Sequence, residues 1–235
     1  VNDPQHPKMW GLSQLDRTFH TFCLGATGSG KSTFLRGLFV QDMWAGRGGL
    51  LLEPHGDLSV QLLDETPPFR LHNTAFIDTL SDTEYSPGFN PLAVAPDASR
   101  DEHARAVQSV VSLISKHFAM DSGAVQLKKN LENALNALVW TPGATLLEIM
   151  DFYTNEDVRK TVLNCMPDHA DKERIENAAS NVKPADLGSL ENRISVFQNN
   201  MNMKRMFGQS KPTINFYKLM NGGYTISCPI NKGVA

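Results

Sequence analysis

Gly25-Ala26-Thr27-Gly28-Ser29-Gly30-Lys31-Ser32-Thr33 is the stretch on which the reading of this chain turns. It satisfies the phosphate-binding P-loop pattern G-x-x-x-x-G-K-[ST], with Gly25, Gly30, Lys31 and Ser32 at the fixed positions. Gly25, Gly28 and Gly30 allow a tight loop whose backbone N–H groups face inward, in conformations costly for residues that carry a Cβ. Those N–H groups, with the first turn of the helix that follows, form a nest for phosphate oxygens. Lys31 brings a point charge to the outer phosphates, and Ser32 offers a hydroxyl to Mg²⁺. Residues 25–33 are therefore the candidate phosphate-binding set, with Ser32 as the candidate metal ligand.

The flanks agree with this reading. Phe19-His20-Thr21-Phe22-Cys23-Leu24 is β-prone and apolar, which predicts a buried strand over 18–24. Phe34, Leu35, Leu38, Phe39 and Met43 recur at helical spacing and predict a helix over 32–44. A glycine-rich exit at 45–49 leads to a second buried strand, Leu50-Leu51-Leu52, which runs into Glu53-Pro54-His55-Gly56-Asp57-Leu58. In open α/β sheets ligands bind beyond the carboxyl ends of strands. Glu53, His55 and Asp57 then form a polar cluster near the phosphates, placed to position Mg²⁺ or an attacking water. The same residues also read as a turn in which Asp57 is the N-cap of a helix over 58–63. A third short strand, 74–78, again ends in an acid, and 85–92, with Pro87, Gly88, Asn90 and Pro91, reads as a loop.

At 235 residues the chain has room for one large domain, or a core with a substantial insertion. A hydrophobic content of 41% with 20% charged residues fits a globular rather than a disordered chain. The net charge of −3 provides no overall positive field of the kind that marks nucleic-acid binders, but leaves local basic surfaces open. Cys23, Cys165 and Cys228 lack metal-ligand spacing and read as reduced core residues of a cytoplasmic protein. The start at Val1 and the end on Gly-Val-Ala read as the bounds of a fragment of a longer protein.

From about residue 100 the signal is helical. Val107, Val110, Val111 and Ile114 share a face over 104–118, and Leu131, Leu135 and Leu138 do so over 127–140. Thr145-Leu146-Leu147-Glu148 is a capping box for a helix through 152, and Asn155 caps a helix over 158–166. Further helices are predicted over 172–179 and 187–200, then a short edge piece at 213–216 and a last strand at 224–228. The chain divides into a lead-in over 1–17, the N-terminal part of an α/β core over 18–99, a helical subdomain over 100–209, and a return to the core over 210–235. The fold class is α/β, a mostly parallel sheet with an inserted all-helical subdomain.

The loop together with L-L-L-E-P-H-G-D-L at 50–58 and F-I-D-T-L-S-D-T-E-Y-S-P-G-F-N-P-L at 76–92 resembles the HerA/FtsK group of P-loop ATPases. Within that group the chain looks most like the conjugative DNA-transfer branch, the TraD/TraG-like coupling proteins. The resemblance implies a RecA-like core that binds ATP with Mg²⁺ and assembles into a ring, usually a hexamer. It also implies ATP hydrolysis between neighbours, DNA moving through a central channel, and secretion or relaxosome proteins as partners. It implies an acidic Walker B strand as well. Both acid-ended strands, 50–53 and 75–78, align with family strands that precede Walker B, and Tyr224–Cys228 ends in Pro229. Walker B is therefore expected beyond Ala235, and hydrolysis by this chain alone is expected to be weak. Glu53 and Asp57 are the acids that could substitute.

Other residues carry competing readings. Arg193 could be supplied in trans to a neighbour's γ-phosphate, where such an arginine contributes about 10³–10⁵ in rate; as a lone helix charge it reads as a solvated residue. Lys204, Arg205, Lys211 and Lys218 form a loose basic series of the kind that is usually plain surface. His20 reads as structural, and Trp10, Trp44 and Trp140 as packing. Three functions remain open on the sequence: a DNA-translocating ATPase, a nucleotide-binding switch or scaffold without motor work, and a P-loop small-molecule kinase. Arg70, Arg100 and Arg105 are too scattered for the lid arginines that the last needs.

Overall fold

A computed structural model describes residues 11–230 apart from 14, 55, 79–85, 119 and 121–123. The chain is α/β. Three parallel strands, β1 (Gly49–Glu53), β2 (Thr74–Phe76) and β3 (Thr225–Pro229), form a sheet of order β1-β3-β2. Gly49 and Thr74 both align with Thr225, and Glu53 aligns with Pro229. Parallel neighbours need crossovers. The run from β1 to β2 is crossed by helix α2 (Asp57–Asp64), and the run from β2 to β3 by the whole helical region.

The central strand β3 is buried along its length, as a strand paired on both sides must be. Period-two alternation sends Ile226 and Cys228 into a small apolar cluster with Ile77, flanked by Phe216 and Leu219 of helix α10 (Phe216–Asn221). Burial pushes the Cys228 thiol pKa up, and the nearby Asp78 carboxylate adds to the effect. At the amino end of the strands the buried Arg70 guanidinium donates to the carbonyls of Arg47 (3.2 Å) and Gly223 (2.6 Å), which ties the entries of β1 and β3 together.

Two expectations fail here. Residues 20–26 form no strand, and Phe22 and Leu24 are 87% and 85% exposed. Apolar, β-prone side chains make a strand only where a neighbouring backbone accepts the ladder, and among the described residues none pairs with this segment. The expected edge piece at 213–216 is instead the lead into α10, whose first turn is capped when Lys218 N–H donates to Asn215 Oδ1 at 2.9 Å.

Residues 100–207 are mostly helical. This helical block comprises α3 (Arg100–His117), α4 (Val125–Leu138), α5 (Ile149–Thr154), α6 (Glu156–Asn164), α7 (His169–Ser180), α8 (Pro184–Asn199) and α9 (Met201–Phe207). Its core includes Val107, Val111, Leu131, Leu135, Ile149, Phe152, Leu190 and Ile194, each no more than 1% exposed. Side-chain caps define the helix starts: a Ser99–Glu102 box on α3, the Thr145–Glu148 box ahead of α5, Asn155 on α6, Asp168 on α7 and Asn200 on α9. Each such cap is typically worth about 1 kcal/mol.

The block joins the sheet where two linkers cross. Gly88 N–H donates to Thr213 Oγ1 (2.7 Å), and Thr213 N–H donates back to the Gly88 carbonyl (3.0 Å). Asn90, 5% exposed, is the hub: its Nδ2 donates to the carbonyls of Ala144 (2.8 Å) and Ser210 (3.4 Å), and its Oδ1 accepts from Leu92 N–H (3.0 Å). Phe89 packs edge-on against both Phe207 and Phe216, bridging the two cores.

Candidate phosphate-binding site

The loop over 25–30 turns on glycines and opens directly into a helix. Gly28 (φ 79°) and Gly30 (φ 88°) lie in the left-handed region, and Gly30 is the N-cap of α1 (Lys31–Trp44). At Gly25 a Cβ would come within 2.4 Å of Ser29 Oγ, so a side chain there would have to turn the Ser29 hydroxyl aside. Residues 25–30 are exposed, and the first N–H groups of α1 have no carbonyl four residues back to bond to. Lys31 folds back over the loop: Nζ donates to the carbonyls of Gly25 (2.8 Å) and Ala26 (2.7 Å). Ala26 also accepts from Ser29 N–H at 3.2 Å, closing the turn. Ser32 and Thr33 are exposed in the first turn of α1. These features fit a phosphate group with its Mg²⁺: backbone donors, a cation already inside the loop, and a hydroxyl at the second helical position.

Glu53 and Asp57 sit where the sequence places them, at the carboxyl end of β1, but it is Glu53 that caps the helix. Gly56 (φ 92°) is the N-cap residue of α2, and Asp57 is the first residue of that helix. The capping carboxylate is Glu53: Oε1 accepts from Leu58 N–H (3.0 Å) and Oε2 from Ser59 N–H (2.8 Å). The reading of Asp57 as N-cap is thus corrected. A carboxylate three positions upstream of the turn reaches the amides that the short Asp57 side chain, inside the helix, cannot. Asp57 is exposed in the first helical turn, where its charge suits the positive end of the helix dipole. His55 lies outside the described residues.

Helices α1 and α2 bring the loop and this acidic turn to one end of the molecule. Arg36 of α1 meets Gln61 (3.1 Å) and Glu65 (3.4 Å), and Met43 Sδ lies 3.9 Å from Thr66 Oγ1. Rising numbers face rising numbers, so the helices run parallel and their N-termini share an end. Arg193 is placed apart. It lies on α8, which packs against α4, α5 and α9, and its Nη1 donates to the Ser189 carbonyl of its own helix at 2.7 Å.

Sequence reasoning missed Asp42. It is bidentate to Arg17 and also pairs with Arg47 at 3.2 Å, so it ties the segment entering the loop to the far end of α1. The available signal was that Asp42 is the one carboxylate in the helix 31–44. Among the described residues no helix is long and apolar enough to cross a membrane. Comparisons with protein-family models, with curated proteins and with solved structures found no match.

Proposed function

We propose that this chain binds ATP or ADP with Mg²⁺ through residues 25–33, as the nucleotide-binding part of a RecA-like, ring-forming ATPase that moves DNA. The single observation that carries the nucleotide reading is the loop itself: two left-handed glycines, open backbone donors, and Lys31 held inside by two carbonyls. An arriving phosphate gives Lys31 an anionic partner in place of neutral ones, and charge-assisted hydrogen bonds are about twice as strong. Bound Mg²⁺ would neutralise phosphate charge, with Ser32 as its protein ligand. The DNA-moving part of the reading rests on the resemblance of the three motif stretches. The test is steady-state phosphate release with and without DNA. DNA-stimulated release that Lys31→Ala abolishes supports the motor; tight MgATP binding with no DNA effect on turnover contradicts it.

One observation favours a second reading, a nucleotide-binding switch or scaffold. Both Glu53 oxygens are taken by helix amides, so this acid is poorly placed to polarise water. Glu53→Gln leaving turnover unchanged fits that capping role, and its abolition of turnover would make Glu53 the catalytic acid.

A further inference from the structure

We propose that a cavity at the junction of the helical block and the sheet is a second binding site, one that takes a flat aromatic anion of small-molecule size. The cavity has a volume of about 450 Å³. That lies within the range of roughly 300–1,000 Å³ typical of small-molecule pockets, which favour interfaces between structural units. Three stretches enclose it: the linker into the helical block (90–98), the exit of α4 (139–144) and the linker back to the sheet (210–212). No residue of the loop 25–33 lines it.

The chemistry of the walls selects the ligand. Trp140 stacks face to face on His103, with ring centroids 3.8 Å apart and planes 10° from parallel. His103 is itself fixed, because its Nδ1 donates to the Ser99 carbonyl at 2.9 Å. The indole is therefore held in place before any ligand arrives, and a pre-set aromatic wall loses little conformational freedom on binding. Leu92 and Pro142 add apolar surface, and the Asn90 hydrogen bonds to Ala144 and Ser210 hold the enclosing stretches together. Among the described residues lining the cavity, Lys211 is the cation and there is no carboxylate. An aromatic ring meets the indole and the apolar wall, and a negative group meets Lys211; a cationic ring would meet Lys211 with no acid to offset it.

The test uses 2-naphthoate titrated into the full chain, read by calorimetry and by the NMR signal of the Trp140 indole N–H. Binding with a dissociation constant of about 1 mM or tighter is expected, the range open to a probe of this size. Trp140→Ala should weaken it by about tenfold or more. Should that variant fail to fold, Lys211→Met, a surface change, keeps the test intact. Lys211→Met should weaken 2-naphthoate about threefold to tenfold and leave binding of neutral 2-naphthamide unchanged, a difference that neither general stickiness nor a folding defect would give. No shift at Trp140 up to about 10 mM probe would overturn the proposal, as would equal affinity of Lys211→Met and the parent chain for 2-naphthoate. Shifts confined to residues 19–24 would also overturn it, because the probe would then sit on the exposed apolar segment.

Discussion

Phe152 in α5 and Phe22 ahead of the phosphate loop are the same residue type in opposite circumstances. Phe152 is fully buried among helices, whereas Phe22 is 87% exposed on a segment with no ladder. The contrast extends to the regions around them. The helical block buries its apolar faces against one another and caps the starts of α3, α6, α7 and α9 with its own side chains. The loop-bearing layer buries few apolar side chains, Ile77, Ile226 and Cys228 at the sheet and Met43, Leu58 and Leu62 on α1 and α2, with Leu24, Leu52 and Phe34 exposed. The lesson is a division of labour. The helical block supplies packing and stability, and the sheet layer supplies a local backbone geometry that does not depend on a large core.

The sharpest way to break that comparison is a matched pair of truncations. Phe152→Ala should cost about 3–5 kcal/mol in urea unfolding, because it removes a large side chain from a closed core. Phe22→Ala should stay within about 0.5 kcal/mol, as surface changes do. Similar losses for both would show that residues 19–24 are packed in solution, and the contrast would fall. The next effect lies at the junction. Asn90→Ala strands the Ala144 and Ser210 carbonyls and should cost about 1–3 kcal/mol, with the helical block and the sheet layer melting less cooperatively by calorimetry. Thr145→Ala removes the capping-box hydroxyl of a 2%-exposed residue and should cost about 1–2 kcal/mol in the same unfolding assay.

The smallest effect is one of pH. Backbone and side-chain hydrogen bonds from Ser99 hold the Glu102 carboxyl below its usual range. A lowered folded pKa means the stabilisation is complete above the ordinary carboxylate range and lost as pH falls through the folded value. Glu102→Gln should therefore lower stability slightly at neutral pH, converge with the parent at low pH, and so flatten the acid side of a stability-versus-pH curve. An unaltered acid limb would show that the box is not formed in solution.

Legibility in the sequence followed the range of the interactions. The glycine turn into α1, the capping box at Thr145–Glu148 and the Asn155 cap involve residues within a few positions of each other, and all could be read directly. The helical block was legible because the Val107–Ile114 and Leu131–Leu138 faces repeat at helical spacing. The absence of a strand at 20–26 was not legible, because an apolar run does not say whether a partner backbone lies beside it. That Glu53 rather than Asp57 caps α2 depends on how a left-handed Gly56 turns the chain, which residue type alone does not fix. Asn200 reads as the end of one helix, yet its side chain accepts from Met203 N–H and opens α9. Arg193 was chosen by analogy, and its guanidinium turns back onto its own helix.

The account rests most on the claim that residues 25–33 cradle phosphate through local geometry and Lys31. Calorimetric titration of MgATP into the parent chain, Lys31→Ala and Glu53→Gln tests it directly. Lys31→Ala should bind about tenfold more weakly or worse, with its thermal unfolding almost unchanged, while Glu53→Gln should bind nearly as the parent does. Equal affinity of Lys31→Ala and the parent for MgATP would contradict the account.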